Sequence, residues 1–349
     1  MIDGQLSRRR FLGVAGATIA GASWSALGSP FGTAAALADT RTAIETIHAD
    51  KLGVQMWTCL ASWEADPAET LDLLAQLGYA YVEWAFMPPT LTPAAFRKAL
   101  DDTGLWCNGG HGTSAYPYDD ATWKQYVEDQ LTIGARDLGA NTNFPTTKSD
   151  CMKYVEAVDR AHDVARSMGF TGFQYNHLES AAWNKLTDQP DTYAWEFIVE
   201  NTCHDVWNVE LDTLHALQPL GSMNLVLDYV RKHPCRMPFL HIKDGGYRNV
   251  YLPDGTAIGP GAQPSEFGMG MFGSPDPQDP QGRPHAGFQD VFTAARETEN
   301  WDEVLLIAES DASMGTCYDY TKLAFDGLNG LKFPYVPPPV PLVPAGLAC

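Results

Sequence analysis

Residues 207–212 read Trp-Asn-Val-Glu-Leu-Asp and residues 238–243 read Pro-Phe-Leu-His-Ile-Lys, two short and largely apolar runs. Between them Ser222 opens an amphipathic stretch that Pro234 stops, which is the pattern of a helix. Two apolar runs joined by a helix predict a β–α–β unit whose strands are parallel and buried on both faces. The rest of the chain repeats this unit.

Eight such runs alternate with amphipathic segments from Lys51 onward. They are Leu52–Trp57, Tyr79–Trp84, Leu105–Asn108, Asn141–Phe144, Gly172–His177, Trp207–Asp212, Pro238–Lys243 and Val304–Glu309. Eight strand–helix units predict an α/β fold, a single-domain (β/α)8 TIM barrel. A doubly wound open sheet is the competing architecture, but no Gly-x-Gly-x-x-Gly motif follows the first run.

The segments between the runs carry helix start and stop signals. The sequence Asp-Pro-Ala-Glu at residues 66–69 predicts a cap, a first-turn proline and a Glu at the third position, and Gly78 ends that helix. Thr92 followed by proline predicts another start. Asp150 is expected to begin a long helix that Gly169 ends.

The first 38 residues predict a twin-arginine signal peptide. Residues 7–12 read Ser-Arg-Arg-Arg-Phe-Leu, and a weakly apolar run then reaches the small-residue cleavage pattern Ala-Leu-Ala at residues 36–38. A membrane anchor is the alternative, but Ser, Gly and Pro30 interrupt the run. We therefore expect export by the twin-arginine machinery to the periplasm or the exterior, without a stable membrane anchor.

Residues 39–332 are assigned to the barrel and residues 333–349 to a Pro-rich tail of polyproline character. Gly245–Gly287, after the seventh run, forms a long loop rich in Gly and Pro. Loops at this end of a barrel strand build lids and substrate walls.

Composition excludes several classes of protein. Of the 349 residues, 45% are hydrophobic, which suits a large globular domain. The formal charge is −20, and loss of the leader with three Arg and one Asp makes it −22, so a nucleic-acid partner is disfavoured. The seven cysteines are scattered without a Cys-x-x-Cys pair, which argues against a zinc knuckle and leaves disulfide pairing open.

Three consecutive runs end in metal-binding side chains, Asp212, His241 and Glu309. On a barrel these ends are neighbours, so the side chains can converge. One imidazole and two carboxylates suit Mn²⁺, Zn²⁺, Co²⁺, Fe²⁺ or Mg²⁺. Helix capping is the competing explanation for each residue alone. The fifth run offers His177 or Glu179 as a fourth ligand, with Tyr175 and His177 on one face by strand alternation.

With these motifs the chain resembles the xylose-isomerase-like, or AP-endonuclease-2-like, TIM barrels of the sugar phosphate isomerase/epimerase family, in the exported branch with a twin-arginine leader. The resemblance spans about residues 50–332. It rests on Leu-Gly-Val-Gln-Met-Trp (52–57), Gly-Tyr-Ala-Tyr-Val-Glu (78–83), His111, Tyr-Asn-His (175–177), Glu-Leu-Asp-Thr (210–213), His-Ile-Lys-Asp (241–244) and Glu-Ser-Asp (309–311).

The resemblance implies a divalent metal, most often Mn²⁺, bound at the ends of strands five to eight, and Asp212, His241 and Glu309 match the family's ligands. The chain departs from the family in strand five. Exported relatives read Tyr-His-Asn-His followed by Glu, whereas Tyr175 stands here in place of the first His. The wider family's epimerases use a Glu on that strand as ligand and acid/base, a role that would fall to Glu179.

The implied reaction is isomerisation or epimerisation of a sugar or keto-sugar. The metal polarises the carbonyl, a carboxylate removes the neighbouring proton, and a metal-stabilised enediolate is reprotonated. Glu309 is the expected base. Lys243 is placed to bind the developing oxyanion, and a salt bridge with Asp244 or Glu210 is its alternative role.

Four further side chains are candidates for substrate binding. His111 and His215 would bind sugar hydroxyls, and Trp57 and Trp84 would stack on a sugar. Ordinary structural and packing roles are the alternatives. Since the glycine-rich residues 267–272 have no neighbouring Lys or Arg, a free sugar, keto-sugar or glycoside is favoured over a phosphorylated one.

Other activities remain open. A lyase or dehydratase would eliminate from a 3-keto-glycoside or inosose-type substrate, as relatives of this barrel do. A non-catalytic sugar-binding barrel is the second alternative. A DNA-repair endonuclease would need a basic face, which the charge disfavours.

Overall fold

In the computed structural model of the protein, the described residues are 43–112, 116–141, 143–243, 249–251, 257–260, 281, 287–310 and 317–335. Their strands, in chain order, are β1 Ala43–Thr46, β2 Leu52–Gln55, β3 Tyr81–Trp84, β4 Trp106–Gly110, β5 Leu138–Ala140, β6 Gln174–His177, β7 Trp207–Asp212, β8 Phe239–Ile242, β9 Asn249–Tyr251, β10 Ala257–Pro260, β11 Leu305–Ala308 and β12 Lys332–Tyr335.

Eight of these strands form one sheet in the order β4-β3-β2-β11-β8-β7-β6-β5, and every paired strand in it is parallel. The two end strands approach each other through a parallel bridge between Gly112 and Ala140 and a bond from the Asp137 N–H to the Asn108 carbonyl, 2.8 Å long. The sheet is thus a nearly closed barrel, and the predicted (β/α)8 fold is confirmed.

Helices follow the strands and cover the outside of the sheet. They are α1 Leu60–Ala65, α2 Pro67–Leu77, α3 Pro93–Thr103, α4 Asp120–Ile133, α5 Lys148–Ser167, α6 Ala194–Glu200, α7 Thr213–Leu220, α8 Met223–Lys232, α9 Phe288–Thr298 and α10 Cys317–Leu328. Short 3-10 turns lie at Ala49–Lys51, Met56–Cys59 and Ser180–Trp183. Among the described residues, none of the helices combines the length and apolar character needed to cross a bilayer.

Three predicted helix starts, at Asp66, Thr92 and Ser222, are confirmed and one is wrong. Asp66 and Thr92 accept hydrogen bonds from backbone N–H groups three residues on, and proline follows each of them. The long helix α5 begins earlier than predicted, because Thr147 is its cap and accepts from the Asp150 N–H at 3.2 Å. Asp150 closes the cap by accepting from the Thr147 hydroxyl.

The fourth predicted strand is misplaced. The described residues of Asn141–Phe144 lie outside the sheet, and the strand is β5, just before them. Two of its three residues are Gly and Ala, which rarely mark strands, whereas Phe144 is an aromatic residue of a type enriched in strands. Gly139 is required at this position, since a Cβ there would lie 2.5 Å from the Tyr175 ring.

The barrel interior has two layers. Toward the amino ends of the strands, apolar side chains pack together, and Tyr81, Tyr175, Phe239, Leu305 and Ile307 form this plug. Toward the carboxyl ends, the next inward-facing positions on the same strands are polar or charged. Strand alternation therefore places the chemistry directly above a packed floor.

The predicted tail, long loop and leader lie partly or wholly outside the described residues. Phe333, assigned to the tail, is buried in β12, which pairs antiparallel with β1, so the folded domain continues to Tyr335. Within the long loop, β9 and β10 pair antiparallel. The predicted leader, residues 245–248, 252–256, 261–280 and 282–286 of that loop, and residues 336–349 lie outside the described residues.

One disulfide joins Cys59, in the turn after β2, to Cys317 at the start of α10. The sequence left this pairing open. Cys107, Cys151, Cys203 and Cys235 are thiols, and Cys349 lies outside the described residues.

Candidate metal and sugar site

His177, Asp212, His241 and Glu309 form one buried group, here called the donor cluster. They stand at the carboxyl ends of β6, β7 and β8 and just after β11, and one donor atom from each lies within 4.8 Å of all the others. All four are at most 4% exposed. The structure thus brings together the four residues that the sequence predicts as metal ligands.

The contacts inside the donor cluster are short. His241 Nδ1 lies 2.6 Å from Glu309 Oε2, and His177 Nε2 lies 3.3 Å from Asp212 Oδ2. The buried His177 Nδ1 makes no hydrogen bond within the described part of the chain. An imidazole nitrogen and carboxylate oxygens that converge in this way fit a divalent cation.

The charge state of the cluster also suits a cation. Burial and the neighbouring His241 charge lower the pKa of His177 to about 4, so its imidazole is neutral at pH 7 and keeps a lone pair for a metal. Burial opposes ionisation of Asp212 and Glu309, but the Lys243 ammonium and the neighbouring histidines together outweigh it and hold the pKa of both carboxyls below the usual range. Both are therefore carboxylates at neutral pH.

Lys243 reaches the cluster from one side. Its ammonium lies 3.0 Å from Glu309 Oε1, 3.5 Å from Asp212 Oδ2 and 3.2 Å from His215 Nε2. The alternative pairing with Glu210 is not seen, since Glu210 contacts two histidines instead, and Asp244 lies outside the described residues. Lys243 is 2% exposed, so its charge is available only to groups inside the site.

Glu179 lies at the rim and not in the donor cluster. Its side chain is 46% exposed, its Oε1 is 4.0 Å from His177 Nδ1, and it accepts a 2.6 Å hydrogen bond from the Asn141 amide. Between the two candidates for the fourth donor, the structure places His177 among the other three. Glu179 remains close enough to face a molecule bound there.

A second polar group, the inner cluster, lies on the opposite side of the His241 ring from Glu309 and was missed in the sequence. It consists of Glu83, His111 and Glu210 around the far side of the His241 ring, whose Nε2 is 2.7 Å from Glu83 Oε2 and 3.1 Å from Glu210 Oε1. His111 Nε2 is 3.1 Å from Glu210 Oε2. His111 was expected to bind substrate. It belongs to the inner cluster, and its ring also stacks on that of His177 in the donor cluster.

Burial and charge act against each other in the inner cluster. Burial and the Glu210 charge raise the pKa of Glu83, whereas His241 and His111 overcome burial and lower the pKa of Glu210 to about 2. Burial lowers the pKa of His241, but Glu210 and Glu309 raise it well above the usual value. Without a cation the His241 ring is thus an imidazolium held between carboxylates.

Two features of the sequence could have revealed the inner cluster. Glu83 and Glu210 interrupt buried strands that are otherwise largely apolar, and a buried carboxylate needs a partner. Glu210 also lies two residues before Asp212, on the same face of β7. Tyr175, the departure from the family pattern, donates its hydroxyl proton to Glu83 and so supports this cluster rather than the metal donors.

The predicted stacking residues differ in exposure. Trp57 is 41% exposed and meets Phe86 edge to face at 6.1 Å. Trp84 is buried, donates to Gln130 at 3.3 Å, and lines a cleft of about 700 Å³ that reaches His111. Trp84 thus forms part of the cleft wall, and of these two residues Trp57 has the more exposed ring.

The sequence matches no protein-family model and no curated protein. Solved structures, in contrast, share the fold. A sugar phosphate isomerase/epimerase from Parabacteroides distasonis ATCC 8503 is 19% identical, with a TM-score of 0.57 over 82% of this chain and 96% of that one.

Two more distant structures extend this comparison. D-psicose 3-epimerase from Clostridium cellulolyticum H10, solved with D-tagatose, is 16% identical, with a TM-score of 0.50 over 78% of this chain and 89% of that one. The IolI protein, solved with a zinc atom, is 14% identical, with a TM-score of 0.50 over 79% of this chain and 95% of that one. The predicted likeness to sugar phosphate isomerase/epimerase barrels is confirmed at the level of the fold.

Proposed function

We propose that the protein is a divalent-metal-dependent isomerase or epimerase acting on a sugar or keto-sugar. The observation that carries this proposal is the donor cluster, in which two carboxylates and two imidazoles from successive strands meet in a buried site. Mn²⁺ is the first choice of metal, with Zn²⁺, Co²⁺, Fe²⁺ and Mg²⁺ as alternatives. Barrels of the same fold include an epimerase and a zinc-containing protein, which supports this assignment.

A bound cation would polarise a sugar carbonyl and acidify the adjacent C–H group. The Lys243 ammonium, buried beside Glu309, would bind the negative charge that develops on the carbonyl oxygen. His215, in contact with Lys243, and His111 would hold hydroxyl groups.

Two carboxylates, Glu309 and Glu179, flank the proposed substrate position. Lys243 and His241 overcome the effect of burial and hold the pKa of Glu309 well below its usual value, which makes it a weak base until a ligand rearranges these contacts. Glu179, at the rim, contacts neither Lys243 nor His241. We assign the second proton transfer to Glu179.

Hydrogen exchange tests the proposal. The mature protein, residues 39–349, loaded with Mn²⁺ should move deuterium from heavy water into the C–H group beside the carbonyl of at least one of a panel of keto-sugars. Glu309→Gln and Glu179→Gln should each slow exchange by about 10²-fold or more. Glu128→Gln, on the exposed side of α4, is the matched control.

Absence of exchange from the whole panel, with a sugar still bound, would overturn the proposal. That result would favour the non-catalytic sugar-binding barrel. Exchange that persists at the wild-type rate after metal removal would equally contradict it.

An eliminating lyase or dehydratase is the second candidate, and the cleft beside His111 favours it. This cleft of about 700 Å³ ends at His111, whose ring stacks on His177, and it has room for a leaving group attached to the reacting sugar. Product analysis by NMR separates the two, because an isomerase retains every substituent and a lyase releases one.

We further propose that the protein works outside the cytoplasm. A disulfide between Cys59 and Cys317 fits an oxidising compartment, as the twin-arginine leader also does. Replacing Arg8 and Arg9 by Lys in the full chain should leave the protein in the cytoplasm. Unchanged export of that variant would refute this route.

A further inference from the structure

The cleft begins at His111 of the inner cluster and runs to helix α4. Its inner end is His111, whose ring stacks on that of His177 at 4.8 Å, and its outer side is the face of α4 that carries Gln125. Because His111 lines the cleft and stacks on His177 of the donor cluster, the cleft and the donor cluster are neighbours.

Glycines shape the inner wall. A Cβ at Gly110 would lie 2.2 Å from the Trp84 ring, and one at Gly112 would lie 2.2 Å from the Tyr126 ring. Tyr126 also donates to the Gly139 carbonyl at 2.7 Å, which fixes its ring. Two aromatic rings packed against bare backbone make this wall rigid and preformed, as small-molecule sites commonly are.

The two sides of the cleft differ in chemistry. Phe86 and Met87 give one side an apolar surface, and Thr122, Gln125 and Asp129 give the α4 side a hydroxyl, an amide and a carboxylate. The Gln125 amide donates to Asp129 at 3.0 Å, so these groups lie side by side.

A sugar unit matches such a surface, since its C–H face packs on apolar side chains and its hydroxyls bond to amides and carboxylates. None of the described lining residues is Lys or Arg, and Asp129 would repel a phosphate. The cleft is therefore suited to a neutral group.

We propose that this cleft is a second sugar subsite, so that the substrate is a neutral glycoside of at least two sugar units. One unit lies at the donor cluster and the next lies between Phe86 and Gln125. His111 stands at the junction of the two. This inference rests on the proposed function for the first unit, whereas the second unit is recognised by the cleft alone.

Binding of matched sugars to the mature protein, residues 39–349, tests the subsite. The probes are D-glucose, D-galactose and D-xylose, each compared with its own disaccharides, and the readout is the NMR signal of the Trp84 indole N–H with the dissociation constant. At least one disaccharide should bind about 10-fold or more tightly than its monosaccharide and shift the Trp84 signal.

Variants on α4 separate the subsite from a general effect. Asp129→Ala and Gln125→Ala should each weaken disaccharide binding about 5- to 10-fold and leave monosaccharide binding unchanged. Glu128→Ala removes the neighbouring carboxylate outside the cleft and should change neither.

Three results would overturn the subsite. These are equal affinity for every disaccharide and its monosaccharide, no disaccharide that shifts the Trp84 signal, or tight binding of p-nitrophenyl glycosides that is indifferent to Asp129→Ala. The last result would mean that a flat apolar group fills the cleft. Because none of these measurements requires turnover, failure of the proposed reaction with retained disaccharide binding would leave the subsite standing.

Discussion

His241 is the residue that the donor cluster and the inner cluster share. Its Nδ1 faces Glu309 in the donor cluster, and its Nε2 faces Glu83 and Glu210 in the inner cluster. A carboxylate on the far nitrogen fixes the ring orientation and leaves Nδ1 to a metal, an arrangement that raises ligand basicity. The inner cluster would thus position His241, a proposed metal ligand, without itself contacting the ion.

Replacing Glu83 by Gln should therefore weaken metal binding. The amide keeps the shape of the side chain and loses the charge, so we expect the dissociation constant for Mn²⁺ to rise about 10- to 100-fold. Calorimetric titration of the purified variant measures it. Glu196→Gln, a buried carboxylate paired with His233 elsewhere, is the control. An unchanged affinity for the Glu83 variant would show that His241 needs no such support.

The sequence indicated the residues of the donor cluster more clearly than the inner-cluster residues that contact His241. Asp212, His241 and Glu309 end consecutive runs, so their convergence follows from the barrel itself. Glu83 and Tyr175 contact each other although 92 positions separate them, and no local pattern announces such a pair.

Among the elements, β5 shows why one boundary could not be predicted. A strand of Leu, Gly and Ala carries little propensity of its own, and it is held by Tyr175 packing over Gly139 and by backbone bonds to its neighbours. Helices with Asp66 and Thr92 caps were predicted because capping is local. Tertiary contacts decided the strand, and local chemistry decided the helices.

Asp137, just before β5, gives this region a pH dependence. Burial raises its pKa to about 7, although its Oδ1 accepts from the Phe173 N–H. An unfolded Asp titrates near about 4. Since the folded state holds this proton more tightly, the free energy of unfolding should fall as the pH rises from about 4 to about 7 and then level off.

Asp137→Asn keeps the acceptor and removes the ionisation. At pH 8 the variant should be more stable than the wild type by about 4 kcal/mol, with the gain vanishing near pH 4. Urea unfolding at both values measures the difference, with Glu128→Gln as the control for loss of a charge. A gain of the same size at both pH values would contradict the assignment.

The whole molecule is held by contacts between distant parts of the chain. Strand β1 pairs with β12. The Cys59–Cys317 disulfide joins residues that are 258 positions apart in the sequence. The sequence did not predict the disulfide, because cysteine spacing does not determine which cysteines pair. It did not predict β12 either, because this strand runs into the Pro-rich tail.

Removal of this disulfide should destabilise the fold. A crosslink that closes a loop of this length restricts the unfolded chain, so the Cys59→Ser/Cys317→Ser variant should lose about 3–5 kcal/mol of unfolding free energy. Denaturant titration under oxidising conditions measures the loss. Cys235→Ser, which replaces a cysteine that is a thiol, should have little effect. Equal stability of the double variant and the wild type would count against the crosslink.

Metal content of the mature protein, residues 39–349, purified without chelator, tests the account most directly. We expect about one equivalent of a divalent transition metal, lost in Asp212→Ala and in His241→Ala and retained in Glu196→Gln, which alters the separate Glu196–His233 group. The wild type should also melt at a higher temperature when Mn²⁺ is added. A protein without metal whose melting temperature ignores Mn²⁺, or one that keeps its metal in all three variants, would contradict the donor cluster as a metal site.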